Sequence, residues 1–367
     1  MYVPERVVTN HELTERLDTS DEWIRTRTGI ERRHIASSGE ATAEMAIEAA
    51  RVALDTADAD PRDIDLIIVG TATPNHLMPS TACQVQDALG AIRAGAFDLN
   101  AGCSGFVYAL ATGHQAIVSG ECDLVLVIGA DTLSRIVDAE DRATAVLFGD
   151  GAGAVLLKAT EKASGVLATF LGADGSGADL LMVPAGGSAE PASADTVAQR
   201  QHYLQMNGRE VYRFATSILP RAVEEVLHRA QLSLDDVALI IPHQANLRII
   251  RAAARRLRIP PDRFFVNLQD YGNTSAASVP IALCEALAEG RIQPGDCVVL
   301  VGFGAGLTWA AIALRWRVPT EIQIRAFHNW LRTLLYVWAR LRTRLVRFSR
   351  QLTVFLIRLI GGNHQMR

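Results

Sequence analysis

Gly120-Glu-Cys-Asp-Leu-Val-Leu-Val-Ile-Gly129 is echoed later in the chain by Gly295-Asp-Cys-Val-Val-Leu-Val-Gly302. Each copy is a short apolar run, rich in β-branched residues and without polar alternation. Such runs suit strands buried on both faces. Two further runs, Ile64–Gly70 and Val237–Ile241, each lead into a polar loop, and the spacing between the two strands is similar in each half. Helical patterns lie between the runs. In Ala41–Ala57, alanines, Met45, Ile47, Val52 and Leu54 are mixed with Glu44, Glu48 and Arg51. The alternation predicts an α/β architecture with helices covering a mostly parallel sheet. Two packed copies of one α/β unit account for the echo; chance similarity among apolar strands is the alternative.

Working outward, Phe97-Asp-Leu-Asn-Ala-Gly-Cys103-Ser-Gly-Phe106 reads as a strand, a tight turn and a helix start. A thiol at a helix N-terminus has its thiolate favoured, and the thiolate is the nucleophile. The alternative is a small buried hydrophobe. Two other loops follow apolar runs: Pro242-His243-Gln-Ala-Asn246-Leu-Arg248, and Tyr271-Gly-Asn273-Thr-Ser-Ala-Ala-Ser-Val-Pro280. Ligands bind α/β sheets at the carboxyl ends of strands, so a nucleophile and two hydrogen-bonding side chains could converge there. Taken singly, a histidine at a strand end is more often structural, and an Asn-containing turn is usually only a turn. Phe148-Gly-Asp-Gly-Ala-Gly-Ala154 fits neither nucleotide-binding glycine pattern and reads as close backbone packing.

The chain has 367 residues and a formal charge of −4. Residues 317–367 hold ten arginines, one acid and no lysine, or +9, which leaves −13 for residues 1–316. No nucleic-acid partner is expected. The five cysteines form no C-x-x-C pair and no secretory segment opens the chain, which points to free thiols in a cytoplasmic setting. The histidines are scattered away from the cysteines, so no zinc site is expected.

Asp18-Thr-Ser-Asp-Glu-Trp-Ile-Arg-Thr-Arg-Thr-Gly-Ile30, Pro242–Ile250, the 271–280 loop and Gly302-Phe-Gly-Ala-Gly-Leu-Thr-Trp309 together resemble the 3-oxoacyl-[acyl-carrier-protein] synthase III family. The resemblance covers most of residues 1–316. It implies a thiolase-like fold, a duplicated α/β unit with mixed sheets in an α-β-α-β-α layering. It also implies an N-terminal half (1–165) with the nucleophile and a C-terminal half (166–316) with His and Asn. The implied activity is decarboxylative condensation of an acyl-CoA primer with malonyl-carrier protein, initiating fatty acid synthesis. A ketosynthase or acyltransferase of specialised metabolism is the alternative. Neither metal nor redox cofactor is implied.

Residue by residue, the resemblance makes Cys103, His243 and Asn273 catalytic and the backbone N–H groups of Cys103 and Ala305 an oxyanion hole. Ala305 stands where many relatives have glycine, which suits a backbone donor if φ there is allowed for alanine. Trp23 and Arg142 resemble a pair holding the CoA adenine, and Arg27 a residue near its phosphates. Gly208, Tyr212 and Asn246 resemble pantetheine contacts. Met78 matches a position that, in the family's homodimer, reaches the partner's acyl pocket. Asn246–Arg258 reads as a helix with Ile250, Ala253, Ala254 and Leu257 on its apolar face. Arg248, Arg251, Arg255 and Arg258 form a basic stripe, either a solvated face or a dock for the acidic carrier protein.

Both ends depart from the family. Relatives usually begin with a strand ahead of the segment at which this chain starts, so an upstream start is one expectation. Relatives also stop near Trp316. Beyond it Phe327, Trp330, Leu334, Trp338, Leu341, Leu345, Phe348, Leu352, Phe355 and Leu359 recur at steps of three or four among arginines. This 317–367 extension reads as a basic amphipathic helix lying on an anionic membrane, as a helix packed on another protein, or as sequence without a selected role.

Overall fold

A computed structural model describes residues 1–161, 164–317 and 326–361; within the last helix, side chains are described for 333–339 and 341–353. The first half runs β1 (Val7–Thr9), α1 (Asn10–Thr14), α2 (Asp21–Thr28), β2 (Arg32–His34), α3 (Thr42–Ala57), β3 (Leu66–Gly70), α4 (Thr81–Leu89), β4 (Gly95–Leu99), α5 (Gly105–Val118), β5 (Leu124–Thr132), α6 (Arg142–Ala145) and β6 (Asp150–Lys158). The second runs β7 (Gly165–Ala173), β8 (Leu181–Met182), α7 (Ala194–Ala198), β9 (Gln205–Met206), α8 (Gly208–Ala230), β10 (Val237–Pro242), α9 (Leu247–Leu257), α10 (Leu268–Tyr271), α11 (Ser278–Ala288), β11 (Cys297–Gly304) and β12 (Thr308–Arg315). A long helix, α12 (Ala326–Gly361), follows.

Two four-stranded sheets, ordered β4-β3-β5-β6 and β10-β11-β12-β7, form the body. They are mixed rather than mostly parallel. β3 pairs in parallel with β4 and β5, and β10 with β11, while β6, β12 and β7 join antiparallel. The echoed strands occupy equivalent places: β3 beside β5, and β10 beside β11. The equivalence extends outward. β7 pairs with β12 over its whole length, and at the corresponding edge of β6 Tyr2 makes a two-bond bridge to Ala152.

Successive side chains of a strand point to opposite faces, and here both faces are covered. In the first sheet Ile68, Val125 and Val127 face inward, and Ile67, Val69, Leu126 and Ile128 pack beneath α3 and α4. In the second, Leu239, Ile241, Val298 and Leu300 face inward, and Val237, Ile240, Val299 and Val301 pack beneath α8 and α9. Helices α5 and α11 fill the space between the sheets and share one core with both inner faces. The result is the α-β-α-β-α layering. Hydrophobic burial from four layer contacts drives it, at roughly 25 cal/mol per Å² of apolar surface.

The central layer requires close backbone approach. A Cβ on Gly129 would lie 2.3 Å from the Ala276 carbonyl oxygen and 2.9 Å from Phe106 Cβ. Neither neighbour is the end of a flexible chain. Gly129→Ala is therefore expected to lower stability by about 3 kcal/mol. Gly175→Ala, with no atom within 4 Å of the added carbon, should stay within about 0.5 kcal/mol. Urea midpoints compare the two; equal midpoints would contradict this account of the packing.

Candidate active site

Three loops meet over the carboxyl ends of β4, β10 and β5, the last lying beside the amino end of antiparallel β6. The first is the turn Asn100–Ser104. Gly102 has φ +54, in the region that favours glycine, and the turn delivers Cys103 two residues ahead of α5. The second continues β10 into Pro242–Asn246, and the third is Gly272–Ser278.

Cys103, His243 and Asn273 are all buried. The Ser275 hydroxyl donates to Cys103 Sγ at 3.4 Å, and Ser275 N–H donates to Asn273 Oδ1 at 2.9 Å. The second bond fixes the Asn273 amide with Nδ2 as the end left to donate. Asn273 is held at both sides of its backbone: its N–H donates to Leu147 O at 2.8 Å and its carbonyl accepts from Gly149 N at 3.0 Å. A Cβ on Gly149 would lie 2.3 Å from Tyr271 O, so the glycine-rich 148–154 segment is close backbone packing behind this loop.

His243 packs edge-on against Phe303, ring centroids 5.1 Å apart, and its Nδ1 lies 2.6 Å from Ser278 Oγ. Burial lowers its pKa to about 3, so the ring is neutral at physiological pH. With the Ser278 hydroxyl donating to Nδ1, Nε2 carries the proton and can donate to a substrate oxygen. Phe303 leads into Gly304–Ala305, which lies against the cysteine turn: a Cβ on Gly304 would sit 2.7 Å from Cys103 N, and one on Gly102 3.0 Å from Ala305 N. Ala305 is not among the residues of positive φ, so alanine fits there without strain. Cys103 is thus linked to Asn273 through Ser275, and it lies against Gly304–Ala305, whose neighbour Phe303 packs on His243.

A surface cavity of about 650 Å³ opens beside Asn246, and neither Cys103, His243 nor Asn273 lines it. Trp23, Arg27, Gly208, Tyr212, Asn246 and Arg248 line it. His243 occupies the buried end and Asn246 the mouth end of the same short segment. Asn246 caps α9 by accepting from Arg248 N–H at 2.8 Å, and its Nδ2 donates to Arg27 O at 3.1 Å. Arg142 and Arg27 lie over Trp23 at 5.1 and 5.9 Å from the ring centroid. A ring inserted between Trp23 and Arg142 needs two contacts of about 3.5 Å each, so this clamp must open by about 2 Å to admit one. Met78 is 85% exposed and does not line the cavity.

The sequence reading missed several residues. Arg209 and Arg213 join Arg27 and Arg248 at the mouth; their position around Gly208 and Tyr212 was the available signal. Ser275, Ser278 and Asp131 hold the cluster together but read in the sequence as ordinary small or strand-end residues. The expected thiolate is also corrected. Burial raises the Cys103 pKa to about 12, and the Ser275 hydrogen bond opposes it only in part. The field at the start of α5 contributes at most about 2 kcal/mol, so the resting group is a neutral thiol.

Fold and site together define a thiolase-fold enzyme. Residues 97–175 match the family 3-Oxoacyl-[acyl-carrier-protein (ACP)] synthase III and residues 227–316 its C-terminal counterpart. A beta-ketoacyl-[acyl-carrier-protein] synthase III of Symbiobacterium thermophilum is 53% identical over 316 residues, 86% of this chain and 96% of that one. The crystal structure of 3-oxoacyl-[acyl-carrier-protein] synthase III from Aquifex aeolicus superposes with a TM-score of 0.79 at 48% identity, covering 86% and 97% of the two chains. The priming beta-ketosynthase of the R1128 polyketide pathway has a TM-score of 0.79 at 37% identity, covering 87% and 94%. The chain belongs to the beta-ketoacyl-[acyl-carrier-protein] synthase III family and is a condensing acyltransferase.

The raised thiol pKa has a measurable consequence. Thiolate population rises tenfold per pH unit below the pKa, so alkylation of free enzyme by iodoacetamide should accelerate about tenfold per unit from pH 7 to 9. Cys103→Ala supplies the background from the other thiols. A plateau already reached near pH 7 would show that the helix field outweighs burial.

Proposed function

We propose that this enzyme joins an acyl-CoA primer to malonyl-carrier protein, releasing CO₂ and CoA and giving 3-oxoacyl-carrier protein as the first condensation of fatty acid synthesis. The residue roles and the division into halves at residues 1–165 and 166–316 are part of this reading. The contacts that tie buried Cys103 to the Asn273 loop, and to the Phe303–Ala305 segment on which neutral His243 packs, carry it.

Cys103 Sγ attacks the acyl-CoA carbonyl. The Cys103 and Ala305 N–H groups hold the resulting oxyanion; the C–S bond to CoA breaks, and the departing sulfur takes the thiol's proton. Malonyl-carrier protein then enters. Its C–CO₂ bond breaks, and the electron pair moves onto the thioester oxygen, where His243 Nε2–H and Asn273 Nδ2 donate. Each such donor is worth about 3 kcal/mol or more. Neutrality of His243 matters here, since a donor is required at physiological pH without a titrating charge. The enolate carbon attacks the acyl-Cys103 carbonyl, the C–S bond breaks, and Cys103 is released to regain a proton. Decarboxylation supplies the carbanion, so the proposal involves no cofactor.

The mouth supports an anionic, ring-bearing substrate. Arg27, Arg209, Arg213 and Arg248 surround it, and Trp23 with Arg142 offers an adenine clamp. On α9, Arg248, Arg251, Arg255 and Arg258 are exposed while Ile250, Ala253, Ala254 and Leu257 are buried, which supports docking of the acidic carrier protein. A homodimer belongs to the same reading, with exposed Met78 reaching the partner's acyl pocket. So do a cytoplasmic setting, supported by five free cysteines, and contact of the 317–367 extension with a membrane surface. Among the described residues no helix is long and apolar enough to cross a bilayer. A condensing enzyme of specialised metabolism has less support, since the priming ketosynthase stands at 37% identity against 53% for the synthase III relative.

Intact-mass measurement after incubation with mixed acyl-CoAs tests the first half-reaction and identifies the primer. An acyl mass on Cys103, lost on adding malonyl-carrier protein with formation of 3-oxoacyl product, is expected; no acyl-enzyme would refute the proposal. Arg251→Glu with Arg255→Glu should slow the carrier-protein half-reaction about tenfold or more and leave acyl-CoA loading unchanged. Arg248 is avoided because it also lines the CoA mouth. Equal loss in both half-reactions would refute docking on α9.

A further inference from the structure

Helix α12 lies beyond residue 316, where the family match ends, and two of its faces behave differently. One face docks on the body. Tyr336 and Ala339 are buried, Tyr336 joins the core beneath α3 and α4, and the Arg51 guanidinium lies 5.1 Å from its ring centroid. Thr343 Oγ1 donates to Asp87 Oδ1 at 2.7 Å. Ala339 comes so close to α4 that a Cβ on Gly90 would lie 3.3 Å from its own. The docked positions 336, 339, 343 and 346 step by three and four.

Among the described residues nothing covers the other face. Leu334, Trp338, Leu341, Leu345, Phe348 and Leu352 are 46–68% exposed, and they too alternate steps of four and three. At 3.6 residues per turn this row lies roughly 160° round the helix from the docked row. Six large apolar side chains in one continuous line are not the scattered exposure expected of a monomer surface. Arg342 and Arg344 are exposed and flank the row on its two sides, each about 80° away.

Charge decides what covers this row. From Ala326 to Gly361 there are seven arginines and no acidic residue. The four–three spacing alone would suit a coiled coil with a second copy of the chain. Two such helices, seam to seam, would bring arginine-only flanks together with no acid to pair them. An anionic bilayer satisfies both features: acyl chains receive the apolar row, and phosphates meet Arg342 and Arg344, the two of the seven arginines whose helical positions flank the row. Each arginine near such a surface contributes about 1 kcal/mol.

We propose that the outward row of α12 inserts into the interface of a membrane containing anionic phospholipid, while its inward row clamps the enzyme body to the helix. This deepens the membrane contact proposed above and stands apart from the condensation chemistry. The helix acts as a fixed plate rather than a tether, so the body is held on the bilayer in one orientation.

Flotation of the full chain with vesicles tests this. Mixed phosphatidylcholine–phosphatidylglycerol vesicles should carry the protein upward, and pure phosphatidylcholine should carry at least tenfold less. Trp338 fluorescence should shift to the blue with the mixed vesicles and be quenched by brominated acyl chains. Leu341→Glu, Leu345→Glu and Phe348→Glu combined should abolish flotation, with acyl loading of Cys103 in parallel reporting that the body is folded. No flotation with anionic vesicles, or equal flotation of wild type and variant, would overturn the proposal. So would lipid-independent self-association that the same three substitutions remove, which would assign the row to a second copy. Loss of acyl loading in the wild type would bear only on the condensation reading.

Discussion

The site depends on one buried carboxylate. Asp131, at the end of β5, is 0% exposed. Its Oδ1 accepts from Thr71 Oγ1 at 3.0 Å, Ala72 N at 2.8 Å, and Thr73 N and Oγ1 at 3.1 and 2.8 Å; Oδ2 accepts from Ala276 N at 3.0 Å. Burial raises its pKa; the Ser275 hydroxyl first, then Ala276 N, Thr73 Oγ1 and Ala72 N, pull the other way. An unpaired charge here would cost several kcal/mol, so the donors are a condition of the arrangement rather than an addition to it. They come from both halves of the chain. The carboxylate therefore ties the loop after β3 to the loop that carries Asn273, and fixes Ser275 against the Cys103 thiol. Ser275 has φ +50, an uncommon backbone conformation for a residue with a side chain, and neighbouring bonds at Asn273 and Ala276 hold it there.

The same burial sets the chemistry. A thiol and an imidazole placed in water would titrate near neutrality, and their charges would vary with pH. Burial drives the two pKa values apart, the thiol to about 12 and the imidazole to about 3, so both resting groups are neutral. A neutral histidine whose Nδ1 is occupied by Ser278 is a hydrogen-bond donor in one direction only. That suits a reaction in which negative charge develops on a thioester oxygen and disappears again. The neutral thiol implies that cysteine activation accompanies substrate entry.

Much of this was legible in the sequence, for identifiable reasons. The strands β3, β5, β10 and β11 have both faces buried, and that condition writes itself as unbroken β-branched runs. Helix α9 was legible because its ends carry chemistry: Asn246 caps it, and its buried face recurs at helical spacing. Cys103 and His243 stand in loops after strands β4 and β10, where side-chain identity is set by function; Asn273 instead follows the short helix α10, so the strand expected ahead of its loop is absent. The sheets' mixed directions were not legible, since an antiparallel strand such as β12 is as apolar as its parallel neighbours. Asp131, Ser275 and Ser278 were missed because their importance lies in what they touch, across up to 172 residues of chain in the Ser275–Cys103 contact. The thiol's pKa was misjudged for the same reason: the helix start is local, and burial is not. In α12 the exposed row was visible as a repeat, but the docked row was not, because it is defined by α3 and α4.

Electrostatics unites the surfaces. The net charge of −4 would suggest a protein that repels anions, and residues 1–316 alone sum to −13. Yet the partners proposed for this chain, a polyphosphate-bearing CoA ester, an acidic carrier protein and an anionic bilayer, are all negative. The conflict is resolved by range. At physiological ionic strength, charges more than about 8 Å apart are largely screened, so a partner senses the local patch and not the sum. Arginines are gathered at the cavity mouth, along α9 and on α12, and two of these patches share Arg248. That shared guanidinium, 5.5 Å from the Tyr212 ring centroid, lies where a carrier protein docked on α9 would deliver its arm into the cavity. The acidic remainder then has a use: it disfavours anions everywhere else, and confines docking to the few places where arginine outnumbers acid.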